Sequence, residues 1–385
     1  MSRWREFGWV VCLAGLPLSS FLPLALKVSS QDLDLWHTQA LWAYAGLAWA
    51  VGDTWTRPGI RRANNLALRF WLWWVGLSSL WWTTFRLLKE HQHNIGLWMS
   101  CLHLVVLGLW YLTATASWTP QLVERLTTAC AWVAVGLAAY GILQVMGFDQ
   151  LFMNIGDRGG RNHRAIGTIG NPAHFGVYLS LALPAMWRLR WKWAGMSLAG
   201  LALYLTKSQG AWLAAGAAFV WMLALRKRWW AIAGVGVVAS LGLVLAWDEL
   251  SLSLTNRLAR WAMLWGLVEQ APLTGHGPGA LFLLSTVIQN PEHPLWHWRH
   301  AHNEWLQVWL EQGIIGVGLL TWLVIHTFRQ AWQLRTHPTG LVLGSVFVAF
   351  VMNSVYHFPA HLWALGVWGL LALCGLEVLH AARYA

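Results

Sequence analysis

Residues 336–376 read THPTGLVLGSVFVAFVMNSVYHFPAHLWALGVWGLLALCGL. Not one Asp, Glu, Lys or Arg interrupts them. A helix needs about 20 mostly apolar residues to cross the hydrocarbon core of a bilayer. The stretch is long enough for two crossings. Pro359 lies between them, where a residue that cannot continue a helix interior marks a turn. The reading is two spans, 339–357 and 361–380, and it sets the class of the whole chain.

The same pattern recurs toward the N-terminus, at 7–26, 35–52, 66–85, 95–115, 127–147, 172–187, 193–206, 209–225, 229–247 and 313–328. The expected fold is an all-α polytopic membrane protein of about twelve transmembrane helices, one integral domain over 1–385. The segment 193–206 is the shortest of the twelve. Residues 7–26 follow Arg3 and Arg5 like a signal peptide, but no small-residue cleavage site ends them and further spans follow, so they read as an uncleaved first helix. The composition agrees: of the 385 residues, 57% are hydrophobic and 11% charged, against about 25% charged in soluble domains. Four cysteines lie in apolar stretches without CxxC spacing, which gives neither a disulfide framework nor a thiolate metal site. Most of the 33 tryptophans read as interface and packing residues.

The net charge of +11 would point to nucleic acid in a soluble protein. Its distribution points elsewhere. With both termini cytoplasmic, twelve spans put 16 of the 26 Lys and Arg inside, with 4 of the 15 acidic residues. Basic short loops on one side follow the positive-inside tendency, so the excess reports topology and no nucleic-acid partner is expected. The outer side is nearly neutral, yet two outer segments stand out. One is Asp149–Gly170, with Arg158, Arg161 and Arg164. The other is 248–312, a large loop between the ninth and tenth spans, rich in His and Pro. Its tryptophans, among them Trp261, Trp265, Trp296, Trp298 and Trp305, indicate an ordered loop packed on the membrane face.

Four stretches carry chemistry. In Asp157-Arg158-Gly159-Gly160-Arg161-Asn162-His163-Arg164, three guanidiniums lie among glycines. Such forks suit phosphate or diphosphate; lipid headgroups or Asp157 are the other partners open to them. Arg257-Leu258-Ala259-Arg260-Trp261-Ala262-Met263-Leu264 reads as a helix beginning after Asn256. Snorkelling at the interface accounts better for Arg257 than for Arg260. Pro272-Leu273-Thr274-Gly275-His276-Gly277-Pro278-Gly279 reads first as a tight turn. In Arg299-His300-Ala301-His302-Asn303-Glu304-Trp305-Leu306, His302 precedes a helix that lies on or enters the membrane. A helix N-terminus disfavours imidazolium, and a neutral imidazole can serve as a general base. Contact with headgroups is the alternative. Zinc held by His297, His300 and His302 would not have a standard ligand spacing, and the acidic residues of 248–312 form no DxD-like pair for a metal.

These stretches resemble the O-antigen ligase and Wzy-type polymerase superfamily. His302-Asn303, nine residues, Gly313, two residues and Gly316 match its His-Asn-x9-Gly-x-x-Gly motif. Arg260-x-x-x-Leu264 resembles its Arg-x-x-x-Leu motif, Pro272–Gly279 its Pro-Leu-x-Gly-x-Gly-x-Gly stretch, and Arg164-Ala165-Ile166-Gly167-Thr168-Ile169-Gly170-Asn171-Pro172 the opening of its core, expected over 150–330. The family often has Ser-Arg-Gly where this chain has Ser208-Gln209-Gly210, with Lys207 adjacent.

The resemblance implies a membrane glycosyltransferase at the outer face of the cytoplasmic membrane, without metal or cofactor. It would move a glycan from undecaprenyl diphosphate to a hydroxyl on lipid A-core or on another glycan. By that resemblance Arg164, Arg260 and His302 are the catalytic candidates. Arg158, Arg161, Asn303, Lys207, His300 and Arg257 are the substrate-binding candidates. A lipid-linked repeat-unit polymerase and a protein O-oligosaccharyltransferase share this chemistry. A transporter would need ionisable residues at mid-membrane depth or inverted repeats, and a non-catalytic envelope partner would not depend on the arginines or His302.

Overall fold

The structure is a computed structural model. It describes residues 3–15, 17–18, 35–55, 73–74, 77–78, 95–148, 164–236, 247–284 and 300–384. Among these the regular structure is helical, with no strand. The helices are α1 (Arg3–Ala14), α2 (Leu35–Trp55), α3 (Ile95–Ser117), α4 (Pro120–Val145), α5 (Pro172–Ala182), α6 (Lys192–Leu205), α7 (Gln209–Leu225), α8 (Trp247–Gln270), α9 (Ala280–Leu284), α10 (Glu304–Gln333), α11 (Pro338–Tyr356) and α12 (Trp363–Tyr384). A further helical segment occupies 229–236. Most of the span expected at 66–85 lies outside the described residues.

Helix starts follow the local chemistry. Thr119, Asn171, Asn303 and His337 cap α4, α5, α10 and α11, each side chain accepting a backbone N–H of the first turn. Pro120, Pro172 and Pro338 stand at the first helical position, where no N–H is needed. The turn expected around Pro359 is present, as a 3-10 turn at Pro359–His361 between α11 and α12.

Among the described residues four helices, α4, α10, α11 and α12, are long and apolar enough to cross a membrane. Others are shorter. The apolar run 172–187 splits into α5 and a 3-10 turn, Leu183–Arg188, which contains Pro184. The 14 residues of α6 rise about 21 Å at 1.5 Å each, less than the hydrocarbon thickness of about 30 Å.

The uncharged stretch forms the middle of the bundle. In the apolar windows of α11 and α12, 72% and 78% of the residues are buried inside the protein. A helix apolar all round belongs inside such a structure. The helix α7 packs along α11 through Ala211, Ala214, Ala215 and Ala218. Small side chains at this spacing let helix backbones approach, as association within lipid requires. On α3, Leu102, Val105, Leu109 and Leu112 form an exposed apolar stripe.

The segment 248–312, expected as an outer loop, departs from expectation at α8. The chain was expected to become helical after Asn256, but the helix already begins at Trp247. Arg257 and Arg260 therefore stand in mid-helix, away from its N-terminal amides. Leu264 and Val268 of α8 pack with Ala280, Leu281, Ala301, Leu306 and Leu310 in a small apolar core separate from that of the bundle. Trp261 closes it by donating its indole N–H to Ala301 O at 3.0 Å. Trp296, Trp298 and His297 lie outside the described residues.

Candidate active site

A polar cavity of about 410 Å³ opens where α5, α7 and α8 meet. Arg164, Ala173, Lys207, Ser208, Gln209, Gly210, Ser253 and Arg257 line it. Three cations from three separate stretches of sequence share this wall.

Arg164 is held by the segment that follows it. Gln144, near the end of α4, accepts from Ile166 N and Gly167 N through Oε1 and donates to Gly167 O through Nε2. Gly167 has φ +56°, and the Phe175 ring lies 2.6 Å from where a Cβ would stand, so only glycine fits that bend. Ala165 N then donates to Leu205 O at 3.2 Å, and Arg164 Nε to Thr206 O at 2.7 Å. The arginine is thereby fastened to the end of α6.

Lys207 is the second residue of the turn between α6 and α7. Its φ of +53° is a conformation that side chains adopt at a cost and glycine adopts freely. Gly176 of α5 lets the turn approach: a Cβ there would lie 2.7 Å from Ser208 Cβ. Lys207→Gly should therefore fold at least as stably as the wild type while losing one cavity cation. The expected result is an unchanged or raised thermal midpoint in detergent with at least about tenfold weaker use of a lipid-diphosphate donor, as loss of a charge-stabilising group predicts. Donor titration of the purified variant checks it.

The third cation comes from α8. Arg257 lines the cavity; Arg260, one turn on, is half-buried nearby. Burial lowers the proton affinity of both guanidiniums, and that of Arg257 is lowered further by Arg260. Both stay cationic at neutral pH. The sequence had favoured Arg260 over Arg257 as the functional member. The structure gives the cavity wall to Arg257, one turn after Ser253 on the same face of α8.

His302 stands next to this pair. Burial, then the charges of Arg257 and Arg260, push its imidazole down to about 4. Its ring meets His357 at 5.9 Å and the edge of Phe358 at 4.9 Å. It is neutral at physiological pH through its environment more than through the dipole of α10. Asn303 spends its side-chain oxygen on the cap, accepting from Leu306 N at 3.1 Å. His300 is packed behind, stacked on Phe358 at 4.1 Å with Nδ1 facing Gln307 Nε2 at 3.3 Å. Arg158 and Arg161 lie outside the described residues. Among the described residues no group of three or more His, Cys, Asp or Glu is arranged to hold a metal ion.

The glycine stretch 272–279 has a structural task. Gly275 and Gly277 bring its backbone against the helix that follows His302. His276 N donates to Leu310 O, Gly277 N to Glu311 O and Ile314 N to Pro272 O. These bonds serve backbone groups around a kink at Gly313 (φ +67°, ψ −172°) inside α10. The loop thus ties α8 and its arginines to α10 and its histidine.

Ser253, His174 and His357 were not singled out from the sequence. His357 had a visible cue, as one of three histidines, with His337 and His361, in an otherwise uncharged stretch. His174 is buried in α5 and lies 4.8 Å from His357, ring to ring. Nothing local marks it.

The family model described as O-antigen ligase matches residues 194–323. No curated protein matches the chain. The matched region runs from α6 into α10 and includes Lys207, Arg257, Arg260 and His302; Arg164 precedes it. Residues 194–323, about a third of the chain, are thus similar to the O-antigen ligase family.

Proposed function

We propose that the protein transfers a glycan from a polyprenyl diphosphate, undecaprenyl diphosphate in the family's usual chemistry, to an acceptor hydroxyl at the outer face of the cytoplasmic membrane. The observation that carries this reading is the junction of Arg164, Lys207 and Arg257 in one polar cavity with a neutral His302 beside it. In this reading about twelve spans with both termini cytoplasmic set the cavity at the outer face, and the acceptor is lipid A-core or a second glycan.

The chemistry follows from charge. The acceptor oxygen attacks the anomeric carbon, and the bond from that carbon to the diphosphate oxygen breaks. Its electron pair stays with the lipid diphosphate. Cations fixed in a partly desolvated site stabilise that developing charge without reorganising. Arg164, Lys207 and Arg257 do this, with Arg260 supporting and Arg158 and Arg161 assigned to the donor as well. His302 takes the proton that the acceptor hydroxyl loses.

The test is reconstitution in liposomes with a polyprenyl-diphosphate-linked glycan and two acceptors, lipid A-core and the lipid-linked glycan itself. Formation of a glycosylated acceptor with release of polyprenyl diphosphate is the expected result. Which acceptor is used separates ligase from polymerase. Absence of diphosphate release with either acceptor, from protein that retains its fold, would count against the reading.

A further inference from the structure

The base assigned above sits on a backbone that does not hold itself. His302 has φ +53°, a sparsely populated region for a residue with a side chain, which persists only where the surroundings fix it. Its neighbours are tied on one side. Ala301 N donates to Gln307 Oε1 at 3.1 Å, and Ala301 O accepts from Trp261. On the other side stands the His357–His361 turn, which joins two helices distant in sequence. Phe358 fits between the rings of His300 and His302.

A buried ion pair locks that turn. Glu304, the first residue of α10, places Oε2 3.0 Å from His361 Nδ1. Its Oε1 accepts from Ala360 N at 2.8 Å. From α3, His103 Nε2 grips the same residue by donating to Ala360 O at 2.8 Å. Burial alone would lower the proton affinity of His361, but the charge and hydrogen bond of Glu304, with Glu311, raise it to about 9. The other groups facing it are His300 and His103, both near-neutral imidazole contacts. Buried ion pairs contribute little net stability, and geometric specificity is their better-attested use.

We infer that the Glu304–His361 pair is a positioning device that fixes His302 for proton transfer by clamping the His357–His361 turn to the start of α10. The inference rests on the proposed role of His302. Neither member of the pair lines the Arg164–Lys207–Arg257 cavity, so both act through His302 and not on the donor.

Glu304→Gln keeps an acceptor for Ala360 N and removes the charge, while His361→Asn removes the imidazolium. Each is expected to lower kcat about ten- to hundredfold, the scale of a small misplacement of a catalytic group, with the donor KM within about twofold. In a His302→Ala background neither should lower the residual rate further, since residues acting through one group are not additive. Full activity of both variants, or an equal loss in the His302→Ala background, overturns the inference. Where Glu304→Gln does not accumulate in membranes, Glu304→Asp keeps the charge with a shorter reach and should show the same loss confined to kcat.

A His302→Ala enzyme with wild-type turnover would instead overturn the reading of His302 as the base. Positioning is then decided without turnover, by diethyl pyrocarbonate labelling read by mass spectrometry. In His361→Asn the labelling rate of His302 should change several-fold relative to His337 and His380 of the same chain. An unchanged ratio overturns the inference whatever the activity.

Discussion

His302→Ala is expected to lower glycan transfer by about 10²- to 10⁴-fold, the range for removing a general base, while donor binding stays within about twofold. The side chain is truncated at a position whose backbone is fixed by its neighbours, so the fold should survive. Isothermal titration with the lipid-diphosphate donor, beside single-turnover rates, separates the two quantities. A variant that loses donor affinity in proportion to rate would make His302 a binding residue.

The pH dependence carries a sign. His302 must be neutral to accept a proton. Burial and the two arginines push it down to about 4, so the base form predominates above that value. The profile of kcat/KM, which reports the free enzyme, should stay level down through pH 6.5 and fall only as pH drops toward 4. A bound diphosphate offsets the charge of Arg257 and Arg260, which favours the imidazolium. The corresponding fall in kcat should therefore come at a higher pH than that in kcat/KM. A kcat/KM profile already halved at pH 6.5 would contradict this environment for His302.

The second large effect is structural. Gly313→Ala should destabilise the protein by about 3–5 kcal/mol or prevent its folding. The conformation there, φ +67° with ψ −172°, belongs to a region essentially confined to glycine, and occupying it costs a side chain about 1–3 kcal/mol. The added Cβ would also stand 2.0 Å from Leu273 O and 2.6 Å from Thr274 N. These are backbone atoms of the glycine loop, and they cannot yield without undocking it. Gly318, five residues further along α10, is the control: a Cβ there meets nothing within 4 Å. Gly318→Ala should be neutral or stabilising by up to about 1 kcal/mol, through helix propensity. Thermal unfolding in detergent compares the two. A midpoint for Gly313→Ala within about 2 °C of wild type would mean that the loop does not dock there.

This gives the glycine motif a reason. Gly275, Gly277 and Gly313 are required for backbone to meet backbone across a kinked helix, and the hydrogen bonds from His276, Gly277 and Ile314 complete that junction. The consequence reaches the site, since the junction sets α8 against α10. Arg257, Arg260 and His302 come from those two elements.

Read alone, the sequence determined the class of the protein. Uncharged stretches near twenty residues have one physical home, and Pro359 marks the turn that divides the longest of them. The order of motifs was legible too, because spacing along the chain is what a motif records. The sequence could not tell core from lipid face. In a bilayer both surroundings are apolar, so the periodicity that marks the inner side of a soluble helix is weak here. That α11 and α12 lie in the middle, while α3 exposes a leucine stripe, is decided by packing. The site was decided the same way. Arg164, Lys207, Arg257 and His302 come from four stretches of chain, and no local pattern measures the distance between them. Arg257 ranks above Arg260 at the cavity because the packing of α8 turns the face of Ser253 and Arg257 toward it. His302 is neutral because burial and the two arginines of α8 surround it, and Phe358, brought over from the far end of the sequence, packs against its ring.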